Sequence, residues 1–204
     1  MSDQVAPTSV RPSVLLAEDE ALIRLDLKEM LEEEGYDVVG EAGDGESAVR
    51  MTREHTPDLV ILDIKMPGLD GLTAAERISD EGLAPVVILT AFGQQELVER
   101  AARAGAMGYV VKPFQKADVL PAIEVAVARY REIRDLEAEV ADREERLEAR
   151  TLVDRAKGVL MDTYGMKEAD AFRFLQKTAM DRRSKIADVA GRVVDGTLDA
   201  ADRP

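Results

Sequence analysis

The chain has 204 residues and a formal net charge of -14, with 27 basic and 41 acidic side chains. This length fits one large domain, or one domain followed by a smaller one, and the negative charge argues against bulk, charge-driven binding of nucleic acid. The absence of Cys excludes disulfides, thiol nucleophiles and zinc–thiolate sites, and a single histidine, His55, excludes a histidine cluster.

Short apolar runs alternate with segments of helical spacing from residue 13 to residue 130, after a polar tail of residues 1–12 that we expect to be disordered. The predicted strands cover residues 13–17, 36–40, 59–63, 85–90 and 107–111. The predicted helices between them cover residues 22–31, 46–54, 71–81 and 94–104. Strict alternation implies right-handed crossovers, and therefore an α/β fold with a parallel, doubly wound sheet between two layers of helices.

Chemically useful side chains follow four of the five predicted strands. Glu18 and Asp19 follow the first, Asp63 ends the third, Thr90 ends the fourth, and Lys112 follows the fifth. Because the carboxyl ends of parallel strands lie at one edge of a sheet, we expect these side chains to converge there. Each alone has a plainer explanation, such as a helix cap or a surface charge, but their coincidence favours a functional site.

The chemistry of this set points to phosphoryl transfer. Neighbouring carboxylates raise one another's pKa unless a cation neutralises them, and Mg²⁺ takes one or two carboxylates together with water and phosphate oxygens. Lys112 and Thr90 offer a point charge and a hydroxyl donor suited to phosphoryl oxygens. We therefore predict a Mg²⁺ site at which Asp63 is the nucleophile that accepts a phosphoryl group.

A long helix is predicted from about residue 117 to residue 161, because Pro121 lies near its start and Gly158 is its first glycine. Apolar residues at spacings of three, four and seven occupy its middle: Ile133, Leu136, Val140 and Leu147. This spacing predicts a coiled-coil linker over residues 131–149, although Arg143 interrupts the seam. The alternative is a single solvated helix packed on its own domain.

The pattern of residues 150–196 predicts a small bundle of three helices. The small size of this bundle favours support from a dimer partner. Residues 197–204 are predicted to form a second tail. Ser184 is the expected N-cap of the third helix, and Phe172 and Phe174 are expected in the core. Basic residues outnumber acidic ones here, against the balance of the whole chain. A basic helical module suits phosphate contacts; a surface of mixed charge is the plainer interpretation.

Residues 13–130 resemble the CheY-like receiver domains of bacterial two-component signalling. The resemblance lies in Ala17-Glu18-Asp19-Glu20, Asp63 with Met66-Pro67-Gly68 and Asp70-Gly71, Thr90-Ala91, and Tyr109 with Lys112-Pro113-Phe114. It implies a five-stranded, flavodoxin-like fold and phosphorylation of Asp63 by a sensor histidine kinase. It also implies a cis Lys112–Pro113 bond.

In that family the acidic pair and the aspartate hold Mg²⁺ with one main-chain carbonyl. The resemblance therefore implies metal ligands at Glu18, Asp19, Asp63 and the carbonyl of Lys65. It implies a switch pair at Thr90 and Tyr109, and a phosphoryl contact from Lys112. Glu18 departs from the common pattern, because many members carry Asp at its position.

Residues 145–195 resemble the ANTAR domain, the RNA-binding output module of transcription antitermination regulators. The resemblance lies in residues 156–161, Gly165, 168–172, Leu175, 179–180, Arg183 and 188–190. Taken whole, the chain is similar to the phosphorylation-dependent antiterminator regulators of actinobacteria. This implies a homodimer, formed on phosphorylation, that binds RNA stem-loops.

The basic residues of this stretch, one glycine and one tyrosine are the candidates for contact with RNA: Arg155, Lys157, Gly158, Tyr164, Arg182 and Arg183. Gly158 has no side chain, which would let either RNA or a neighbouring helix approach closely. Two other functions stay open, a DNA-binding response regulator and an adaptor that sequesters a protein. We expect no turnover catalysis beyond the chain's own phosphoryl group.

The sequence also bears on location. No apolar run approaches the roughly 20 residues that span a bilayer, and no signal-peptide pattern begins the chain. We therefore expect a cytoplasmic protein without membrane contact. His55 is expected on the surface near a helix end.

Overall fold

The computed structural model describes residues 11–91 and 95–198, and of residues 95–97 it describes the backbone only. Most of the two predicted tails and the predicted start of the fourth helix therefore lie outside the described residues. The chain divides between Arg134 and Asp135 into two compact units, here the N-terminal and the C-terminal unit.

The N-terminal unit is built on a five-stranded parallel sheet with the strand order β2-β1-β3-β4-β5. Its strands are β1 Ser13–Ala17, β2 Asp37–Ala42, β3 Leu59–Asp63, β4 Val86–Thr90 and β5 Gly108–Val111. The helices that alternate with them are α1 Ala21–Glu33, α2 Gly45–His55, α3 Gly71–Asp80 and α4 Gln95–Arg103, and α5 begins at Lys116. This order is the flavodoxin-like one, which confirms the predicted fold class.

The two faces of the sheet carry two separate hydrophobic clusters. Successive residues of a strand point to opposite faces, so Val60 and Leu62 of β3 enter one cluster and Leu59 and Ile61 enter the other. Both sets are buried because helices cover both faces. This is why the central strands are apolar at every position rather than at alternate ones.

Helix ends in this unit follow their local sequence. Asp44 and Asp70 are the N-caps of α2 and α3, and their carboxylates accept hydrogen bonds from the backbone N–H groups of Ser47 and Thr73. His55 is the last residue of α2 and is exposed, as predicted.

The C-terminal unit contains the last part of α5, which spans Lys116–Tyr164, together with α6 Glu168–Arg182 and α7 Ile186–Val194. The three predicted helices are therefore present. Small and branched apolar residues from all three helices, together with one residue after α7, form its core: Ala156, Leu160, Ala171, Leu175, Ala179, Val189, Ala190, Val193 and, after α7, Leu198.

Two expectations for this unit are wrong. Ser184 does not cap α7; Lys185 occupies the N-cap position, and its N–H donates to the carboxylate of Asp188 three residues later, 3.2 Å away. Phe172 is not in the core but 44% exposed, because the buried stripe of α6 runs through Ala171, Leu175 and Ala179. Phe174 does pack against the core.

The predicted coiled-coil seam lies on α5. Its four apolar residues are 44–66% exposed: Ile133, Leu136, Val140 and Leu147. Helix α5 continues without a break through both predicted ends of the linker, at residues 131 and 149, so the division of the chain at those residues stays a prediction. None of the helices in the described part of the chain is long and apolar enough to cross a membrane.

Candidate functional site

An acidic cluster lies at the carboxyl edge of the sheet. Glu18 follows β1 and is fully buried, Asp19 beside it is exposed, and Asp63 ends β3 with only 5% of its surface exposed. One carboxylate oxygen from each lies within 4.8 Å of the others. No helix cap accounts for this group, because Glu20 occupies the N-cap position of α1 and makes no capping bond.

Lys112, just beyond β5, joins two of these carboxylates. Its Nζ lies 2.8 Å from Oδ1 of Asp63 and 2.5 Å from Oε2 of Glu18. Burial lowers the pKa of the Lys112 ammonium, but the hydrogen bonds and charges of Asp63 and Glu18 outweigh it and raise that pKa above its usual value. Lys112 is therefore a permanent cation at this site.

The cluster is still short of positive charge. The pKa of the Glu18 carboxyl lies above its usual value. Burial raises this pKa most, the charge of Asp63 raises it further, and the Lys112 hydrogen bond lowers it without cancelling the rise. Three carboxylates face one ammonium. The excess negative charge and the all-oxygen donor set fit a divalent hard cation such as Mg²⁺.

The turn after β3 holds Asp63 in place. The Lys65 N–H donates to Oδ2 of Asp63 at 3.0 Å, and the Gly71 N–H donates to the carbonyl of Ile64 at 3.0 Å. A Cβ atom on Gly71 would lie 1.8 Å from the main-chain oxygen of Asp63, so only glycine fits where α3 begins. The Lys65 carbonyl belongs to this turn.

Arg24 supports the acidic pair, and sequence reasoning missed it. Its Nη1 donates to the main-chain carbonyl of Glu18 at 2.5 Å, and its Nε lies 3.4 Å from Glu41. Lys28 lies 2.6 Å from the same Glu41 carboxylate, whose pKa it lowers. The two cations lie four residues apart on α1, so they share one face of the helix. This spacing could have indicated a common acidic partner, but that partner, Glu41, lies on β2.

The two residues of the predicted switch pair, Thr90 and Tyr109, lie in different environments. Thr90 ends β4, is 97% buried, and its carbonyl accepts a hydrogen bond from the Lys112 N–H at 2.7 Å. Tyr109 on β5 is 47% exposed, and within the described residues its hydroxyl makes no hydrogen bond to the acidic cluster. The Lys112–Pro113 bond is cis, as predicted.

The RNA-contact candidates of the C-terminal unit do not form one cluster of available cations. Lys157 on α5 lies 2.8 Å from both Asp154 and Glu168 and is 17% exposed, so its ammonium joins α5 to the start of α6. Arg155, Arg182 and Arg183 are exposed. Arg183 adopts the left-handed conformation that ends α6.

Tyr164 and Gly158 differ in surroundings. Tyr164 is the last residue of α5 and is 41% exposed. A Cβ atom on Gly158 would meet nothing within 4 Å among the described residues. Close packing against a helix of the same chain therefore does not explain this glycine, and approach by another molecule remains a prediction.

Comparison with known proteins agrees with the two units. The response regulator receiver domain family matches residues 14–124, and the ANTAR domain family matches residues 141–194. The transcriptional regulatory protein PdtaR of Mycobacterium tuberculosis is 58% identical over 190 residues, which is 93% of this chain and 93% of that protein. The chemotaxis protein CheY of Bacillus subtilis is 43% identical over 111 residues, 54% of this chain and 92% of CheY.

Solved structures resemble the N-terminal unit. The CheX–CheY–BeF3–Mg+2 complex from Borrelia burgdorferi aligns with a TM-score of 0.54 and 32% identity, covering 57% of this chain and 89% of that one. The signal receiver domain of a modulated diguanylate cyclase from Desulfovibrio desulfuricans aligns at 0.56 and 34%, covering 60% and 98%. The chain therefore belongs to the response regulators, as a member in which a receiver domain is followed by an ANTAR domain.

Proposed function

We propose that the chain is a phosphorylation-activated response regulator that binds RNA stem-loops and promotes transcription antitermination. Asp63 accepts the phosphoryl group from a sensor histidine kinase: a P–O bond forms to a carboxylate oxygen as the P–N bond to the kinase histidine breaks. The observation that supports this most is the Lys112 ammonium, 2.8 Å from the Asp63 carboxylate, inside a cluster with excess negative charge.

The proposed metal ligands are Glu18, Asp19, Asp63 and the Lys65 carbonyl. Bound there, Mg²⁺ would neutralise the charge that develops on the phosphoryl oxygens. Lys112 supplies a second, permanent positive charge at the same carboxylate, and Thr90 at the end of β4 supplies a hydroxyl. Magnesium is present with BeF3 in the solved CheX–CheY complex, which supports the same ligand preference here.

The output follows from the C-terminal unit. A relative that is 58% identical over nearly its whole length is a transcriptional regulator, and the ANTAR domain implies RNA as its target. The exposed apolar seam of α5, Ile133 to Leu147, is the proposed surface for homodimer formation. Phosphorylation at Asp63 would recruit Thr90 and favour the dimer.

One observation favours a second candidate, a DNA-binding response regulator. Only residues 183–185 separate α6 from α7, a length typical of helix-turn-helix motifs. However, the exposed charged residues of α7 are Asp188 and Arg192. A recognition helix with one cation and one carboxylate suits a phosphate backbone poorly.

Direct binding separates these functions. The full chain, treated with acetyl phosphate and Mg²⁺, is titrated against hairpin RNAs with one fixed stem and a randomised loop, against the same hairpins as DNA, and against fully paired duplex DNA. We expect preference for the RNA hairpins, with affinity that falls as salt rises. Preference for duplex DNA would support the second candidate, and binding to none would leave the protein adaptor.

A further inference from the structure

The C-terminal unit contains a groove that has been given no role above, although one of its lining residues, Tyr164, is a candidate for contact with RNA. It has a volume of about 580 Å³ and lies between α6 and the turn after α5, within the range of roughly 300–1,000 Å³ typical of ligand pockets. Two aromatic rings, two lysines and two aspartates line it: Tyr164, Phe174, Lys167, Lys177, Asp170 and Asp181.

The aromatic residues give the groove an apolar surface of the kind on which bases stack. Tyr164 is 41% exposed at the end of α5, and Phe174 lines the groove while packing against the hydrophobic core. Stacking on aromatic side chains is the usual means by which proteins hold unpaired bases. The exposed ring of Phe172 is not among the lining residues, so the two aromatic surfaces of the unit are separate.

The two lysines are available to an anion. Lys167 precedes α6 at its N-cap position, and Lys177 lies within α6. Across the described residues, neither ammonium takes part in a hydrogen bond or an ion pair, whereas Lys157 nearby is held by two carboxylates. Charged donors of this kind bind phosphate oxygens.

The aspartates argue against a continuous run of phosphates. Asp170 lies 3.4 Å from Arg173, but among the described residues the Asp181 carboxylate has no ion-pair partner. A carboxylate repels phosphate, and it accepts hydrogen bonds from the exocyclic amino groups of bases. Those groups are engaged in a duplex and are exposed in splayed RNA loops.

We propose that this groove binds a short run of unpaired nucleotides of an RNA loop. One base stacks on Tyr164, near the start of α6, and Lys167 and Lys177 bind phosphates along the groove. Asp181, about 20 Å further along α6, accepts a hydrogen bond from the exocyclic amino group of another base. Uracil has no such group, so Asp181 selects against it at that loop position. The inference rests on the proposed RNA-binding function and names the subsite that reads the loop.

Matched substitutions in the full chain test the subsite. The phosphorylated chain and its variants are titrated against hairpin RNAs with one fixed stem and a randomised loop. We expect Tyr164→Leu and Lys177→Ala each to weaken binding about tenfold, and Lys177→Ala to reduce the salt slope by roughly 0.7. The controls Phe172→Leu and Arg192→Ala remove an aromatic ring and a positive charge outside the groove, and should bind as the parent chain does.

Sequencing of the bound hairpins tests the base preference. The parent chain should enrich adenine, cytosine or guanine over uracil at one loop position, and Asp181→Asn, whose amide both donates and accepts, should lose that discrimination. Thermal unfolding by circular dichroism confirms that each variant is folded. Parent-like affinity and loop preference in all three folded groove variants would overturn the subsite and leave RNA binding intact. Failure of the parent chain to bind any hairpin would overturn both proposals.

Discussion

At the scale of single residues, the chemistry of the sheet edge depends on which carboxylates the Lys112 ammonium contacts. Its ammonium contacts Glu18 and Asp63, and Asp19 has no such partner within the part of the chain that is described. In the proposed reaction, an incoming phosphoryl group would therefore meet a cation already placed beside the Asp63 carboxylate.

The first prediction concerns Asp63. Acetyl phosphate with Mg²⁺ should phosphorylate the full chain, and Asp63→Asn should abolish the added mass because the amide is not a nucleophile. Asp80→Asn is the matched control, since Asp80 is exposed at the end of α3. Intact-mass spectrometry measures the outcome. Equal phosphorylation of Asp63→Asn, or phosphorylation that a chelator leaves unchanged, would contradict the assignment.

The second prediction concerns Lys112. Its ammonium occupies carboxylate oxygens that the proposed metal also needs. Lys112→Ala should therefore bind Mg²⁺ several-fold more tightly, because the substitution removes a competing positive charge that also repels the metal. Phosphorylation of the same variant should no longer promote assembly. Lys116→Ala, which removes the ion pairs of Lys116 with Glu33 and Glu34 at the start of α5, serves as the control. Calorimetric titration measures the Mg²⁺ affinity of the parent chain and of each variant. Weaker Mg²⁺ binding by Lys112→Ala would contradict the prediction and show that Lys112 mainly holds the carboxylates in place.

At the scale of elements, local sequence determines several helix starts. The Asp44 carboxylate accepts from the Ser47 backbone N–H at 2.8 Å and from its hydroxyl at 2.9 Å. The backbone hydrogen bond, and then the hydroxyl one, lower the pKa of Asp44. Because the folded-state pKa lies below the unfolded one, the ionised cap stabilises the fold above the ordinary carboxyl pKa and loses that contribution as pH falls through the folded-state value.

The third prediction follows from that cap. Asp44→Ala should lower the free energy of unfolding by about 1 kcal/mol at neutral pH, whereas Asp44→Asn, which keeps an acceptor oxygen, should lose much less. Urea unfolding at neutral and acidic pH measures both. The difference between the parent chain and the alanine variant should shrink in acid, and a difference independent of pH would contradict a role for the charged form.

Much of the sheet could be predicted because it depends on short-range patterns. Leu59 to Leu62 are apolar at every position, which indicates burial on both faces, and the topology of alternating elements then places Asp63, Glu18 and Lys112 at one edge. The support from Arg24 was missed because Glu41 is distant in sequence.

The C-terminal unit was less predictable for a physical reason. Helical spacing shows which residues share a face, but not how three packed helices are rotated against one another. Phe172 was therefore assigned to the core although it lies beside the buried stripe of α6. Lys157 carries a positive charge in the sequence, yet Asp154 and Glu168 neutralise it in the fold.

At the scale of the whole molecule, the fourth prediction concerns assembly. Phosphorylation should increase the mass measured by light scattering, and Leu136→Glu with Val140→Glu should prevent this by placing charge in the α5 seam. Ala138→Glu with Ala141→Glu adds the same charge at α5 positions outside the heptad seam and should leave the increase unchanged. A mass that does not respond to phosphorylation would exclude activation by dimerisation.

The central claim is that phosphorylation of Asp63 controls RNA binding by the C-terminal unit. The most direct test is the dissociation constant for a hairpin RNA selected by the full chain, measured by fluorescence anisotropy with Mg²⁺, with and without acetyl phosphate. We predict that acetyl phosphate tightens binding at least about tenfold, or about 1.4 kcal/mol, in the parent chain and has no effect on Asp63→Asn. Equal affinity in both states of the parent chain, or the same gain in Asp63→Asn, would contradict the claim.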